Sequence, residues 1–314
     1  MLRRAQGKEL DVPQDKEYLT QEVDNILNES NRMLTVIADG QTVPLTPQRI
    51  CEINKIVLNG LVLDDGVIPG EIRTYSVGVM HYRGAPAEDC PFLFERLCEW
   101  LNGPDFHSHA GLSAVHMAIL KAIIAHLYVE WIHGFGDGNG RTGRLLEVQI
   151  LMQSGIPSPA CHLLSNHYNQ TRREYLRQLR AASESGGDIL PFMTYALNGL
   201  LDELRGQIAY VRKLHMETTW VNFVHDIFRN QRSKAAHRQK ALLLDLAEKG
   251  EAVPVSELDE LSSRLSKEYA GMHPRTPARD IEALIAQDLA VRDGKKVKAN
   301  LELISHFLPI KAKP

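Results

Sequence analysis

Apolar residues recur at three- and four-residue intervals over most of the chain, and this spacing predicts a mainly helical protein. Residues 15–33 place Leu19, Val23, Ile26, Leu27 and Met33 at mostly helical spacing. In "LTPQRICEINKIVLNGL", Thr46 is a plausible N-cap and Pro47 takes the first helical position. "PFLFERLCEWLNG" is an amphipathic helix stopped by Gly103. A long helix from about Leu112 to Ile132 follows, and further helices are predicted at 141–153, 164–183, 188–205 and 207–229. One segment breaks the pattern. "IRTYSVGVMHYRGAP" alternates, is rich in β-branched and aromatic residues and ends in Gly84 and Pro86, so it reads as a short hairpin or flap.

Past the polar, basic stretch "RNQRSKAAHRQ" the pattern restarts, which marks a domain boundary. "KALLLDLAEKG" reads as a helix, and "VPVSELDELSSRL" as a second opening with Ser256. "RTPARDIEALIAQDL" is a third, with Thr276 as N-cap and Pro277 just inside. Two short strands then flank Asp293-Gly294, a strong hairpin-turn signal. Three helices and a hairpin form the pattern of a winged helix-turn-helix domain. The resulting division is an N-terminal region at 1–40, a helical core at 41–229 and a winged-helix domain at 230–314.

Composition changes this picture little. The 314 residues are 44% hydrophobic and 24% charged with net charge −3, an ordinary soluble balance with no global pull toward nucleic acid or membrane. Residues 231–314 carry 15 basic against 12 acidic side chains, so the tail is mildly basic. Cys51, Cys90, Cys98 and Cys161 show no CxxC spacing, which suits reduced thiols and a cytoplasmic setting. No apolar run follows the N-terminal arginines, so no signal peptide is expected. The apolar helix "MAILKAIIAHLYVEWI" is broken by Lys121, His126 and Glu130 and reads as a core helix, with no membrane partner.

The chemistry concentrates in "HGFGDGNGRTGR", residues 133–144. Gly134, Gly136, Gly138 and Gly140 let the backbone approach a ligand closely. Helical periodicity resumes after Asn139, so the glycine-rich turn feeds a helix N-terminus, a ready anion site. Arg141 and Arg144 lie on the same side of that helix start, where cations are disfavoured by the dipole, which points to a polyphosphate or carboxylate partner. Asp137 beside such a site suits Mg²⁺. His133 ends the preceding helix, where a neutral imidazole could take a proton from a hydroxyl attacking phosphorus. Phe135 is the one large apolar group and anchors the loop.

This segment resembles the Fic motif, HxFx(D/E)GNGRxxR, at every specified position. Gly134 stands where the family usually has proline, which predicts a looser loop. The upstream hairpin, the long helix into the motif and "LLSNHYNQTRREYLRQL" also resemble the family, over roughly residues 15–210. The resemblance implies a Fic-type helical bundle with a β-hairpin flap, and transfer of AMP from ATP to a Ser, Thr or Tyr hydroxyl of a protein. It implies His133 as general base and Asp137 as Mg²⁺ ligand. The backbone of Gly138, Asn139 and Gly140, with the Asn139 side chain, would cradle the α- and β-phosphates, and Arg141 and Arg144 would hold the β- and γ-phosphates. Thr74, Tyr75, Ser76, Val77, Gly78 and Val79 of the flap would dock the target by strand addition. Ser165, Tyr168 and Tyr175 line the nucleotide's base and sugar or simply pack their helix.

Many Fic proteins carry an inhibitory helix, (S/T)xxxE(G/N), whose glutamate pairs with the motif's last arginine. "NILNESNRM" offers Glu29 for Arg144, with Asn25 and Ser30 departing from the pattern. The register "TQEVDN" offers Asp24 instead. In the tail, Arg275 and Arg279 flank the third helix start and Lys295, Lys296 and Lys298 lie on or beside the wing, while Glu282 and Asp288 dilute the basic face. DNA and protein partners are both open there. Two rival functions stand beside AMP transfer: removal of AMP at the same site with Glu29 positioning water, and a DNA-binding regulator that senses nucleotide. The target is open, the chain itself included, as are the nucleotide and a homodimeric state.

Overall fold

The computed structural model describes residues 17–79, 82–107 and 111–307. The chain divides into two compact units between Leu204 and Arg205, whereas the sequence reading places the division at residue 230. Trp220, Val224 and Phe228 belong to the core of the second unit, which moves its start upstream.

The first unit is helical. Helix α1 (Glu17–Ala38) is followed by α2 (Pro47–Val57) and α3 (Cys90–Leu101). Thr46 caps α2 as expected, its hydroxyl accepting from Arg49 N–H at 3.1 Å. Helix α4 (Ala114–Ile132) and helix α5 (Asn139–Gln153) form the central pair, joined by the glycine-rich loop. By length and composition α4 could cross a membrane, but here half of it is buried against its neighbours. Ile50, Ile53, Phe94, Leu101, Ile123, Leu127 and Phe135 are all buried in one core, so α2, α3, α4 and the loop share a single apolar centre. The predicted flap is a hairpin of β1 (Gly78–Val79) and β2 (Tyr82–Arg83), shorter than its alternating segment.

Two helix expectations change. The stretch 164–183 is interrupted, with α6 at Ser158–Cys161, α7 at Leu163–Gln170 and α8 at Arg172–Glu184. The helices expected at 188–205 and 207–229 are one, α9 (Leu190–Ile227). Gly206 lies inside it with open space around it, and an isolated helical glycine costs only about 1 kcal/mol.

In the second unit α10 (Lys234–Lys249), α11 (Ser263–Tyr269) and α12 (Thr276–Ile285) pack Leu242, Leu246, Leu265, Ile281 and Leu284 into its core. An antiparallel sheet orders β3 (Val253–Pro254), β5 (Lys296–Ala299) and β4 (Ala290–Asp293). Gly294 takes φ +61° at the predicted turn. The helix expected from Ser256 is only a single 3-10 turn at Val255–Glu257, and Ser262 is the residue whose hydroxyl caps α11. Thr276 is the first residue of α12 rather than its cap; the cap position is Arg275, with no side-chain bond.

Candidate functional site

The site is built where α4 hands over to α5. His133 closes α4 in the left-handed conformation, φ 50° and ψ 49°, which is uncommon for a side chain with a Cβ. The turn brings imidazole Nδ1 to 3.2 Å from the Glu130 carbonyl oxygen. A carbonyl only accepts, so the contact puts the proton on Nδ1 and the lone pair on Nε2. Burial lowers the His133 pKa, as does the Arg73 charge; the Glu130 carbonyl and Asp137 act the other way. The neutral imidazole is therefore the form present at pH 7.

The loop beyond it is fastened on all sides. Asn139 is buried, its Oδ1 accepting from Phe135 N–H at 3.0 Å and its Nδ2 donating to Phe135 O at 2.8 Å. That side chain is thus committed to the loop itself, which corrects its expected place in a phosphate cradle. Gly138 caps α5 at φ 79°, a conformation that disfavours other residues, with Leu58 and Asn54 against the position of a Cβ. The first bond of α5 runs from Thr142 N–H to Gly138 O, 2.8 Å, so the N–H groups of Asn139, Gly140 and Arg141 precede it. These are the donors a helix start offers to an anion. Gly134 does not loosen the loop. A Cβ there would lie 2.4 Å from the Phe94 ring, which stacks on Phe135 with centroids 5.5 Å apart. The missing side chain admits that packing.

Charge surrounds this helix start. Arg141 bonds both oxygens of Asp137, at 2.8 and 2.9 Å, and also pairs with Glu22 of α1. Asp137 remains about half exposed, at 46%. The Arg144 guanidinium lies alongside Gly140, with Nη1 3.2 Å and Glu130 Oε1 2.7 Å from where a Cβ would stand. Beneath it Tyr175 Oη lies 2.9 Å from His126 Nε2 and donates to Glu130 Oε1 at 3.2 Å, and Tyr168 donates to Glu147 at 3.1 Å. Burial pushes Glu147 up to about 8 and His126 down to about 3. Tyr168 and Tyr175 are thereby buried supports under the arginine and not part of an open nucleotide pocket; Ser165 is half-buried.

The expected pair of Glu29 with Arg144 does not form. Glu29 is 4% exposed and is held by Arg49 and Arg32, which keep its pKa low against burial, the largest influence on it. Glu22, Asn25 and Glu29 share one face of α1 at helical spacing. The carboxylate that reaches the motif is seven residues earlier, about 10 Å along the axis. Asn25 anchors this face by donating to Asn59 O at 2.8 Å. Asp24, the carboxylate of the alternative register, is half-buried and off this face.

Sequence reasoning also missed Asn54, which is fully buried. Its Nδ2 donates to Asp137 O at 2.9 Å and its Oδ1 accepts from Gly70 N–H at 2.9 Å. A polar residue in the Ile50–Ile53–Val57 apolar stripe was the available signal. Thr74, Tyr75 and Ser76 are exposed beside the hairpin, Val77 is half-buried and Gly78 exposed. Among the described residues no group of three His, Cys, Asp or Glu could hold a metal unaided. Mg²⁺ is commonly held by one carboxylate plus substrate phosphates, so Asp137 fits that role.

Residues 44–151 match the Fic/DOC family. The chain is 34% identical over 155 residues to the protein adenylyltransferase Fic of Drosophila sechellia and of Drosophila melanogaster, across 49% of this chain and 28% of each relative. It thus spans under a third of the curated relatives it matches. A Fic family protein from Desulfovibrio desulfuricans G20 superposes over 100% of this chain and 81% of its own, with TM-score 0.52 and 20% identity, which shows the shared fold.

Proposed function

The chain being a Fic/DOC family protein, we propose that it is a protein adenylyltransferase, transferring AMP from ATP to a Ser, Thr or Tyr hydroxyl of a protein. The observation that carries this reading is the neutral imidazole of His133, its lone pair on Nε2, on the turn that leads into the N–H groups opening α5. Those amides and Arg144 receive the phosphates, and Arg141 does so once Glu22 withdraws. Nε2 takes the proton of the attacking hydroxyl as its oxygen bonds to the α-phosphorus, and pyrophosphate leaves. Mg²⁺ held by Asp137 would neutralise phosphate charge. Positioning and charge stabilisation supply most of what such a transfer needs. The hairpin docks the target segment.

Restraint in cis belongs to this proposal, with Glu22 as its carboxylate. While Glu22 and Asp137 occupy Arg141, that guanidinium is neutralised and withheld from phosphate. Glu29, already bound by two arginines, supports neither the inhibitory role nor the positioning of water for AMP removal. The test is incubation with Mg²⁺ and α-labelled ATP, read by intact-protein mass spectrometry. The wild type acquires AMP, and His133→Ala does not; equal labelling of the two removes His133 as the base.

A second activity is favoured by the tail. We read the second unit as a winged helix-turn-helix, with Arg275, Arg279, Lys295, Lys296 and Lys298 all exposed. Glu282 is already paired with Arg292 and subtracts little. The full chain should retard duplex DNA in a salt-dependent way, and Lys295→Glu with Lys296→Glu should weaken it. Absence of retardation at low salt would reassign this face to a protein partner.

A further inference from the structure

Arg73 lies outside the motif and is 5% exposed. Its guanidinium donates to three backbone carbonyls on three segments. Nε reaches His133 O at 2.7 Å, Nη1 reaches Tyr75 O at 2.6 Å and Nη2 reaches Ala85 O at 2.5 Å. Its own N–H donates to Gly134 O at 3.0 Å. One buried side chain therefore ties the residues before the hairpin, those after it and the histidine turn together.

The surroundings make this a close junction. Ala85 N–H donates to Ile132 O at 3.3 Å, and Gly84 N–H closes on Val77 O at 3.2 Å. A Cβ on Gly84 would lie 2.9 Å from His133 Cβ and 3.0 Å from Arg73 Nη2. A Cβ on Gly136 would lie 2.3 Å from Tyr75 Oη. Backbone thus approaches side chain at both ends of the motif's first turn. Among the described residues no carboxylate hydrogen-bonds or ion-pairs with Arg73, whose partners are carbonyl oxygens. A buried cation without a counter-ion is costly, and a planar fork that satisfies three carbonyls at once is what a guanidinium, and not an ammonium, supplies.

We propose that Arg73 is a positioning residue for the transfer, fixing the hairpin's distance and angle relative to the His133 imidazole. A hydroxyl-bearing segment docked on the hairpin then arrives at Nε2 because both ends of the hairpin and the histidine carbonyl share one guanidinium. This inference rests on the adenylyltransferase reading only for its catalytic consequence; the coupling itself is independent of it.

The test compares wild type, Arg73→Lys and Arg73→Gln, all full length. Hydrogen exchange, read by mass spectrometry, should accelerate in residues 73–85 and 132–136 of both variants and stay unchanged in α2, α3 and the second unit. Affinity for a non-hydrolysable ATP analogue with Mg²⁺ should hold within about twofold, while label transfer falls about 100-fold, the scale of loss from a misplacement of 1 Å. Arg73→Lys should not rescue. Uniform acceleration across the first unit, or wild-type protection of the hairpin in both variants, would overturn the proposal. So would undiminished transfer with a loosened hairpin. If the wild type transfers no label, the adenylyltransferase reading fails, and the exchange pattern still decides the coupling.

Discussion

Replacing Glu22 with Gln keeps the shape of the α1 side chain and removes its charge from Arg141. The two side chains are 26% and 17% exposed, between a surface pair and a buried one. Exposed pairs contribute about 0–1 kcal/mol, and breaking buried pairs costs about 3–5 kcal/mol. About 1–2 kcal/mol is a reasonable value for the Glu22 contact, and this is the free energy a phosphate must overcome to claim the guanidinium. Removing it should tighten nucleotide binding by a factor of about 5–30. Asp137, on the other side of Arg141, is unchanged in the variant, so the difference from wild type reads the Glu22 contact alone. Isothermal calorimetry with a non-hydrolysable ATP analogue and Mg²⁺ measures it directly, and label transfer from ATP should rise in parallel. Unchanged affinity in Glu22→Gln would refute the claim that this pair withholds the arginine, whatever the folding stability of the variant.

Glu29→Gln should do the reverse of activation: it removes the buried carboxylate of Arg49 and leaves only the exposed Glu52 on that guanidinium, so thermal unfolding should reveal a loss approaching about 3 kcal/mol, with nucleotide affinity unmoved. Gly134→Ala should destabilise by about 1–3 kcal/mol through overlap with Phe94, and Phe94→Leu should recover part of it; a neutral alanine would contradict the packing account. Glu147 keeps its proton to about 8 in the folded protein because of burial, and ionises near 4.5 when unfolded. Its contribution to stability is thus present below 4.5 and declines as pH rises from 4.5 to about 8. Urea midpoints at pH 5 and 7.5 should show that decline in the wild type and a smaller one in Glu147→Gln; equal declines would exclude Glu147 as the source.

Much of the first unit was legible because its signals are local. Thr46 caps its helix, Gly103 follows the end of α3, and His133 to Arg144 contain both the turn and the charges of the site. What was not legible depends on partners distant along the chain. Arg73 looks like any exposed flap residue until His133, sixty positions later, supplies its carbonyl. Glu22 and Glu29 occupy the same helical face, so only the placement of α1 against α2 and α5 decides which one meets the motif. The resemblance implies an Asn139 side chain on the phosphates, yet the backbone of Phe135, four residues earlier, claims both of its ends. The strand β3 is illegible for the same reason, since the partner of Val253 is Val297.

The most direct measurement is an amide and imidazole NMR titration of the ¹⁵N-labelled chain with ADP and Mg²⁺. Saturable shifts centred on the N–H groups of Asn139, Gly140 and Arg141, with a matching change at His133 Nε2, are the predicted result. Saturable binding that leaves those amides and the imidazole unmoved would contradict the account, because the diphosphate would then lie away from the helix start that the proposed transfer requires.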